Sequence, residues 1–383
     1  MIPYGRQDIT EADIDAVTSV LQSDFLTQGP QVPRFESAVA AYVGARHAIA
    51  FNSATSALHI ACLALGLGKN DWLWTTPITF VATANCARYC GAQVDFVDID
   101  TASFNISVDK LRVKLEVAAK TNRLPKIVVP VHMTGHSCDM KSIRTLSKQY
   151  GFKVIEDASH AIGGKYLGEA VGNCRYSEIT IFSFHPVKII TTAEGGMALT
   201  NNKTLAAKMA LLRSHGITRD SADMSRLPDG PWYYEQIDLG FNYRMTELQA
   251  ALGISQIERL DAYVARRHEL VKRYELLLQD LPVNMPHQAN YAYSAFHLYV
   301  IRVKNRRAVF NSLNREGIGV NVHYIPVHTQ PYYSRLGREV GYTADSFPNA
   351  NEYYAEAISL PLYATFTNKQ QDMVVNALKR ALA

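Results

Sequence analysis

The sequence predicts an α/β protein with a mainly parallel sheet, and three observations carry that prediction. Short apolar runs alternate with helical patterns from about Ala45 onward, the order that right-handed β-α-β crossovers produce. The runs are apolar on both faces, as strands covered by helices on either side must be. The 383 residues, 48% hydrophobic and 19% charged, suffice for one large domain with its own core and a smaller second one.

The elements follow in chain order. Thr10 to Leu21 reads as a helix opened by an N-cap threonine. Strands are expected over HAIAFN, WLWTTP, AQVDFVDI, KIVVPVH, FKVIED, EITIFSF and GMALT. ATSALHIACLALGLG, FVATANCARYCG, SVDKLRVKLEVAAK and DMKSIRTLSKQYG read as the helices between the first five. Arg219 to Gln236 is polar and aperiodic and reads as a mobile loop. Thr246 to Leu281 has helical periodicity through Leu248, Leu252, Ile257, Leu260, Val264 and Leu270, as one or two helices leaving the large domain. HLYVIRV, a helix from Arg306 to Glu316, IGVNVHYIP, ISLPLY and a last helix from Asn368 form a smaller α/β unit. The expected division is 1–250 and 251–383.

Composition excludes several classes of function. A net charge of +4, from 39 basic and 35 acidic residues, without a basic run interleaved with aromatics, argues against nucleic acid. The five cysteines are odd in number and form no C-x-x-C pair, which points to a reducing, cytoplasmic setting. MIPYGRQDITEADID has no basic segment followed by an apolar one, and Ala48 to Gly68 carries Asn52, Ser53, Thr55, Ser56 and His59. A strand and a buried helix explain that stretch better than a membrane span.

Ligands of such sheets bind beyond the carboxyl ends of the strands, so a site is expected among the residues just after each strand. Lys188 is the only cation in IFSFHPVKIITTAEGG. Desolvation there disfavours the charged amine, and a neutral amine is what a Schiff base with an aldehyde requires; a lysine reaching out to solvent is the alternative. Asp157, ending VIED, suits either a protonated pyridine nitrogen or a helix N-cap. His160 follows three residues on. In FNSATSALHIA, Ala54 and Thr55 open a helix whose amides could cradle a phosphate. Phe80 could stack on a planar ring, and Ser183 could reach the same phosphate.

Taken together, FSFHPVKIITTAEGGMALTN, IEDASHAIG, NSATSALH, TTPITFVATAN and GFNYRMTELQAALGISQ resemble the DegT/DnrJ/EryC1/StrS sugar aminotransferases over nearly the whole chain. The resemblance implies fold type I of the pyridoxal 5'-phosphate enzymes, with a seven-stranded sheet, and a homodimer with shared active sites. It implies that Lys188 bonds the cofactor aldehyde, Asp157 pairs with the pyridine nitrogen, His160 lies near the cofactor hydroxyl and Phe80 stacks on its ring. Ala54, Thr55 and Ser183 would hold the phosphate, with Asn242 reaching it from the other subunit. Tyr4, Gln28, Arg244, His323 and Tyr324 are implied sugar-nucleotide contacts. Within the family the chain is most similar to the pseudaminic-acid branch, implying L-glutamate as donor and a UDP-linked 4-keto-6-deoxy-N-acetylhexosamine as acceptor.

Rival expectations remain. A D-configured UDP-4-keto-6-deoxy-GlcNAc or a dTDP-keto sugar would take the same chemistry. A lyase or desulfurase of this fold would need a mobile cysteine, for which Cys174 is the loop candidate. A regulator without catalysis would need an added DNA-binding domain or a lost lysine. His132, His136, Cys138 and Asp139 cluster without zinc spacing, and Cys86 and Cys90 share a helix face in a way that suits packing.

Overall fold

A computed structural model describes residues 1–383. Two N-terminal helices, α1 (Glu11–Leu21) and α2 (Gln31–Val43), precede the sheet. Then come β1 (His47–Phe51), α3 (Ala54–Ala64), β2 (Trp72–Thr75), α4 (Ala82–Tyr89), β3 (Gln93–Phe96), α5 (Val108–Thr121), β4 (Ile127–Val129), α6 (Met140–Tyr150), β5 (Lys153–Asp157), β6 (Ile179–Ser183), β7 (Gly196–Thr200) and α7 (Lys203–Arg213). All seven expected strands form, in one sheet of order β1-β7-β6-β5-β4-β2-β3. Every neighbouring pair is parallel except those of β7, which runs antiparallel to both β1 and β6.

The helices form for legible reasons. Thr10 caps α1 in a reciprocal box with Asp13. Val32, Phe35, Val39 and Val43 bury one stripe of α2, which ends at left-handed Gly44. The N-cap of α2 is Pro30, which offers no side-chain acceptor. Buried Glu247 supplies one, accepting from the Gln31 amide at 2.6 Å and the Val32 amide at 3.2 Å. The periodic stretch after Thr246 resolves into α8 (Glu247–Ile257) and α9 (Leu260–Leu278). Between them Arg259 reaches back to Asp13 at 2.6 Å.

The last third adds β8 (Tyr299–Arg302), α10 (Arg306–Arg315), α11 (Pro331–Val340), α12 (Pro348–Glu356), β9 (Ala357–Leu360) and α13 (Asn368–Leu382). Its own apolar cluster joins Leu270, Tyr274, Tyr299, Leu313, Ile358 and Val374, together with Ile2 from the N-terminus. IGVNVHYIP, read as part of the smaller α/β unit, forms no regular strand. The segment is extended but is bridged only at Ile318, to Ile2, and Asn321, to Ser359. Pro326 lacks a ladder donor, and His323 and Tyr324 line a cavity instead of joining a sheet. The polar stretch 219–236 is not wholly irregular: Ser221–Asp223 is a short 3-10 turn, and Ile217–Thr218 pairs with Glu235–Gln236 at its base. No helix is long and apolar enough to cross a membrane.

Arg267, on α9, is buried and donates to the carbonyls of Phe296, His297 and Leu362 at 3.0, 3.2 and 3.0 Å. Burial lowers its pKa to about 10, so the guanidinium stays charged at neutral pH. Arg267→Leu strands three buried acceptors. It should cost about 2–4 kcal/mol, read as a lower urea midpoint at unchanged slope.

Candidate active site

A cavity of about 580 Å³ opens where the strands end. Ser53, Ala54 and Thr55 follow β1; Thr79 and Phe80 follow β2; Val131 follows β4; Asp157 and Ser183 end β5 and β6. Its far wall is Tyr4, His297 and the extended segment Asn321 to Tyr324.

Lys188 enters on the excursion between β6 and β7. That loop is pinched at its neck, where the Phe184 amide donates to the Gly195 carbonyl and the Thr192 amide to the Phe184 carbonyl, at 2.9 and 3.0 Å. Lys188 is half-buried, its remaining surface facing the cavity. Burial lowers its pKa to about 8, against the opposing pull of the Asp157 carboxylate. No helix follows Asp157, so it is not an N-cap. Its Oδ1 accepts from the Ser159 amide and hydroxyl at 3.1 and 2.6 Å, and its Oδ2 from the Thr83 hydroxyl at 2.6 Å. Thr83 in turn lies 2.8 Å from Thr79. The carboxylate is thereby held in one orientation facing the cavity.

Opposite lies the first turn of α3. Ser53 caps it, accepting from the Ser56 amide at 3.1 Å. The amides of Ala54 and Thr55, in the first turn, have no intrahelical acceptor. Gly196 makes this approach possible: it sits in register between Phe51 and Ser183. A Cβ there would lie 2.5 Å from the Ala54 nitrogen and from Ser53.

Three histidines complete the wall, and all three are kept neutral. His160 Nε2 lies 3.0 Å from the Tyr324 hydroxyl, and its ring stands 4.4 Å from that of His297. Burial, then the Lys188 charge, pushes His160 and His297 well below the ordinary histidine range. The same causes take His323, whose Nδ1 is 2.8 Å from Ser359 Oγ, down to about 3. His160 Nδ1 and His297 Nδ1 are buried without a partner. Phe80 is 58% exposed at the mouth, with its ring 6.1 Å from Tyr324.

The structure thus brings Lys188, Asp157, His160, Ala54, Thr55, Phe80, Ser183, Tyr4, His323 and Tyr324 into one cavity. Gln28, Asn242 and Arg244 do not line it; Asn242 is exposed and bridges Ser214 through its backbone. The sequence reading missed Thr83, Ser159 and His297. Thr83 lies one helical turn beyond Phe80, a signal that was available; His297 sits in what reads only as a strand.

Other clusters have structural employment. His132 bonds Glu156 at 2.8 Å and accepts from the Cys138 amide at 3.1 Å, while His136 accepts from the Ala289 amide at 3.0 Å. Cys174 is buried, with its Sγ 3.2 Å from the Leu199 carbonyl, and burial pushes its thiol up to about 12. That is no mobile acceptor thiol.

A desolvated lysine, an oriented carboxylate and an open helix N-terminus at one sheet edge match a phosphorylated aldehyde with a basic ring nitrogen. The protein is of the class of pyridoxal-phosphate-dependent aminotransferases of fold type I, among whose solved structures are PLP and PMP forms. The chain belongs to the DegT/DnrJ/EryC1/StrS aminotransferase family, whose model matches residues 7–379. It is 40% identical to the spore coat polysaccharide biosynthesis protein SpsC of Bacillus subtilis, over 99% of this chain and 96% of that one. It is 38% identical to the UDP-4-amino-4,6-dideoxy-N-acetyl-β-L-altrosamine transaminase of Campylobacter jejuni, with the same coverages. The structure of Helicobacter pylori PseC, an aminotransferase involved in pseudaminic acid biosynthesis, superposes with a TM-score of 0.89 at 31% identity, covering 100% of this chain and 99% of that one.

Two outcomes follow from this geometry. Gly196→Ala should displace the first turn of α3, costing about 1–3 kcal/mol of stability and weakening cofactor binding, as followed by absorbance titration of cofactor-free protein. The second concerns Lys188, whose amine is mostly charged below its pKa of about 8. Its bonding of added pyridoxal phosphate should therefore accelerate about tenfold per pH unit below that value and level off above it in stopped-flow absorbance.

Proposed function

We propose that the protein transfers the amino group of L-glutamate to C4 of UDP-2-acetamido-2,6-dideoxy-β-L-arabino-hex-4-ulose. The product, UDP-4-amino-4,6-dideoxy-N-acetyl-β-L-altrosamine, serves pseudaminic acid biosynthesis. The observation that carries the aminotransferase chemistry is the meeting of Lys188 and Asp157 across one cavity from the first turn of α3. The substrate assignment draws on the Campylobacter relative and on PseC. A second reading keeps the same chemistry on a D-configured UDP-4-keto-6-deoxy-GlcNAc or a dTDP-keto sugar, since the spore-coat polysaccharide relative, named for no particular sugar, is no less similar.

In this reading each residue has a part. The amides of Ala54 and Thr55 and the Ser183 hydroxyl would hold the cofactor phosphate. Asp157 would pair with the protonated ring nitrogen, and Thr83 and Ser159 keep the carboxylate aimed. His160, linked to Tyr324, would serve the ring hydroxyl, and Phe80 would shield the ring. When bound, the cofactor supplies an electron sink for charge at the carbon losing its proton. Lys188 Nζ takes that proton from the α-carbon of glutamate in one half-reaction and delivers one to C4 of the sugar in the other. Tyr4, His323 and Tyr324 face the sugar. A homodimer would bring Asn242, and with it Arg244 and Gln28, to the open side of the cavity; the exposed apolar residues Leu227, Trp232 and Leu239 suit such a contact.

The test is an assay with L-glutamate and the L-arabino substrate, run in parallel with its D-xylo epimer and resolved by mass spectrometry and NMR. The expected result is amination of the L-arabino sugar alone, with ping-pong kinetics. Lys188→Ala should retain cofactor and lose turnover. Preference for the D-xylo epimer would move the enzyme to the second reading; near-normal turnover by Lys188→Ala would remove the lysine from its role.

A further inference from the structure

Strand β9 is apolar except at one position. All of Ala357–Leu360 is buried, and Ser359 alone is polar. Ile358 and Leu360 pack into the apolar cluster of the C-terminal unit. Strand alternation turns Ser359 to the other face, where a buried hydroxyl must find a partner. It finds His323: Ser359 Oγ lies 2.8 Å from His323 Nδ1 and has no other hydrogen bond. The backbones are tied as well. The Ser359 amide donates to the Asn321 carbonyl at 2.8 Å, and the Asn321 amide to the Ser359 carbonyl at 3.3 Å. The Tyr353 hydroxyl donates to the His323 carbonyl at 2.7 Å.

The serine contact decides which ring nitrogen carries the proton. Burial, then the Lys188 charge, takes the His323 pKa down to about 3, so at neutral pH the ring has a single N–H. If Nδ1 held that proton it would donate to Ser359, and the serine proton would be left buried without an acceptor. If the serine donates to Nδ1, both groups are satisfied and the ring proton sits on Nε2. Nε2 has no partner within the chain yet is not sealed from solvent. The ring lines the cavity, with its centre 5.2 Å from that of Tyr4. His160 and His297 have no such partner at Nδ1.

We propose that Ser359 is a positioning residue: it locks His323 as the Nε2–H tautomer, a fixed donor for a carbonyl oxygen of the keto sugar. The assignment rests on the reading that this wall meets the sugar. A carbonyl oxygen can only accept a hydrogen bond, so the locked tautomer attracts it where a bare ring nitrogen would repel it. The ring is uncharged, so what it offers the substrate is set by the tautomer and not by protonation. The donor is in place before the sugar arrives and needs no reorganisation on binding. Ser359 itself lies behind the histidine and acts only through it.

The tautomer is read in cofactor-loaded enzyme without substrate, by long-range proton–nitrogen NMR of histidine-labelled protein. The His323 signal is identified by its loss in His323→Asn. The expected spectrum shows Nδ1 bare and Nε2 protonated, with both tautomers populated in Ser359→Ala; a protonated Nδ1 in the unaltered enzyme would overturn the proposal. The two half-reactions are then followed separately by cofactor absorbance, using L-glutamate and whichever sugar epimer the unaltered enzyme aminates. Ser359→Ala should slow the sugar half-reaction about tenfold more than the glutamate half-reaction, the scale of one hydrogen bond. In a His323→Asn background the same substitution should have no further effect. Equal rates of loss in both half-reactions, no loss with the sugar, or an undiminished effect in the His323→Asn background would overturn the assignment. Amination of neither epimer by the unaltered enzyme would remove the sugar from the proposed function, while the spectrum would still decide the tautomer.

Discussion

Bringing a lysine amine and a carboxylate to one cavity wall is costly, because each loses hydration that only a partner or a fixed dipole replaces. Much of the site answers that constraint. Asp157 regains what it loses from Ser159 and Thr83, three hydrogen bonds to its two oxygens. Lys188 receives no such set; the Asp157 charge offsets only part of its burial, and its pKa is depressed as a result. On the proposed function the asymmetry has a use: a charged carboxylate can hold a protonated ring nitrogen, and an amine that sheds its proton can act as nucleophile and base.

The same positive charge disciplines its neighbours. His160, His297 and His323 share the wall with Lys188, and burial together with its field keeps all three uncharged. A neutral His160 can donate from one ring nitrogen and accept at the other, so its contact with Tyr324 fixes whether the buried Nδ1 is left as donor or acceptor. Arg267 steadies this arrangement from behind, gripping the carbonyls on either side of the peptide that carries the His297 ring.

Much of this was legible in the sequence because it sits where a strand ends. Asp157, Ser183, Ala54 and Phe80 each follow an apolar run, and the seven runs all became strands of one sheet. Lys188 stood out as a lone cation among small and apolar residues. What periodicity could not carry was contact across the chain. Nothing local to Thr83 names Asp157 as its acceptor, and nothing in HLYVIRV turns His297 toward His160. Helices α11 and α12, each burying two or three residues, were not read from the sequence. Gln28, Asn242 and Arg244 lie outside this chain's cavity, and the family pattern, not local spacing, is what marked them.

The two ends of the cavity are built differently, and this bears on how the family diversifies. The cofactor end rests on strand ends and one glycine contact, where a single methyl group would collide with backbone. The opposite wall, which the proposed function gives to the sugar, rests on coil: Tyr4 and residues 321–324. That coil is fixed by interlacing the two chain ends. The Ile2 amide donates to Gly317, the Gly319 amide to Ile2 and the Leu362 amide to Tyr4, at 2.8, 2.7 and 3.0 Å. The main-chain bonds at the two chain ends do not depend on the side chains they carry, so side chains on such a woven segment can vary more freely than the backbone contact at Gly196. A family so constructed can keep its cofactor chemistry fixed while exchanging the groups that read the hexose.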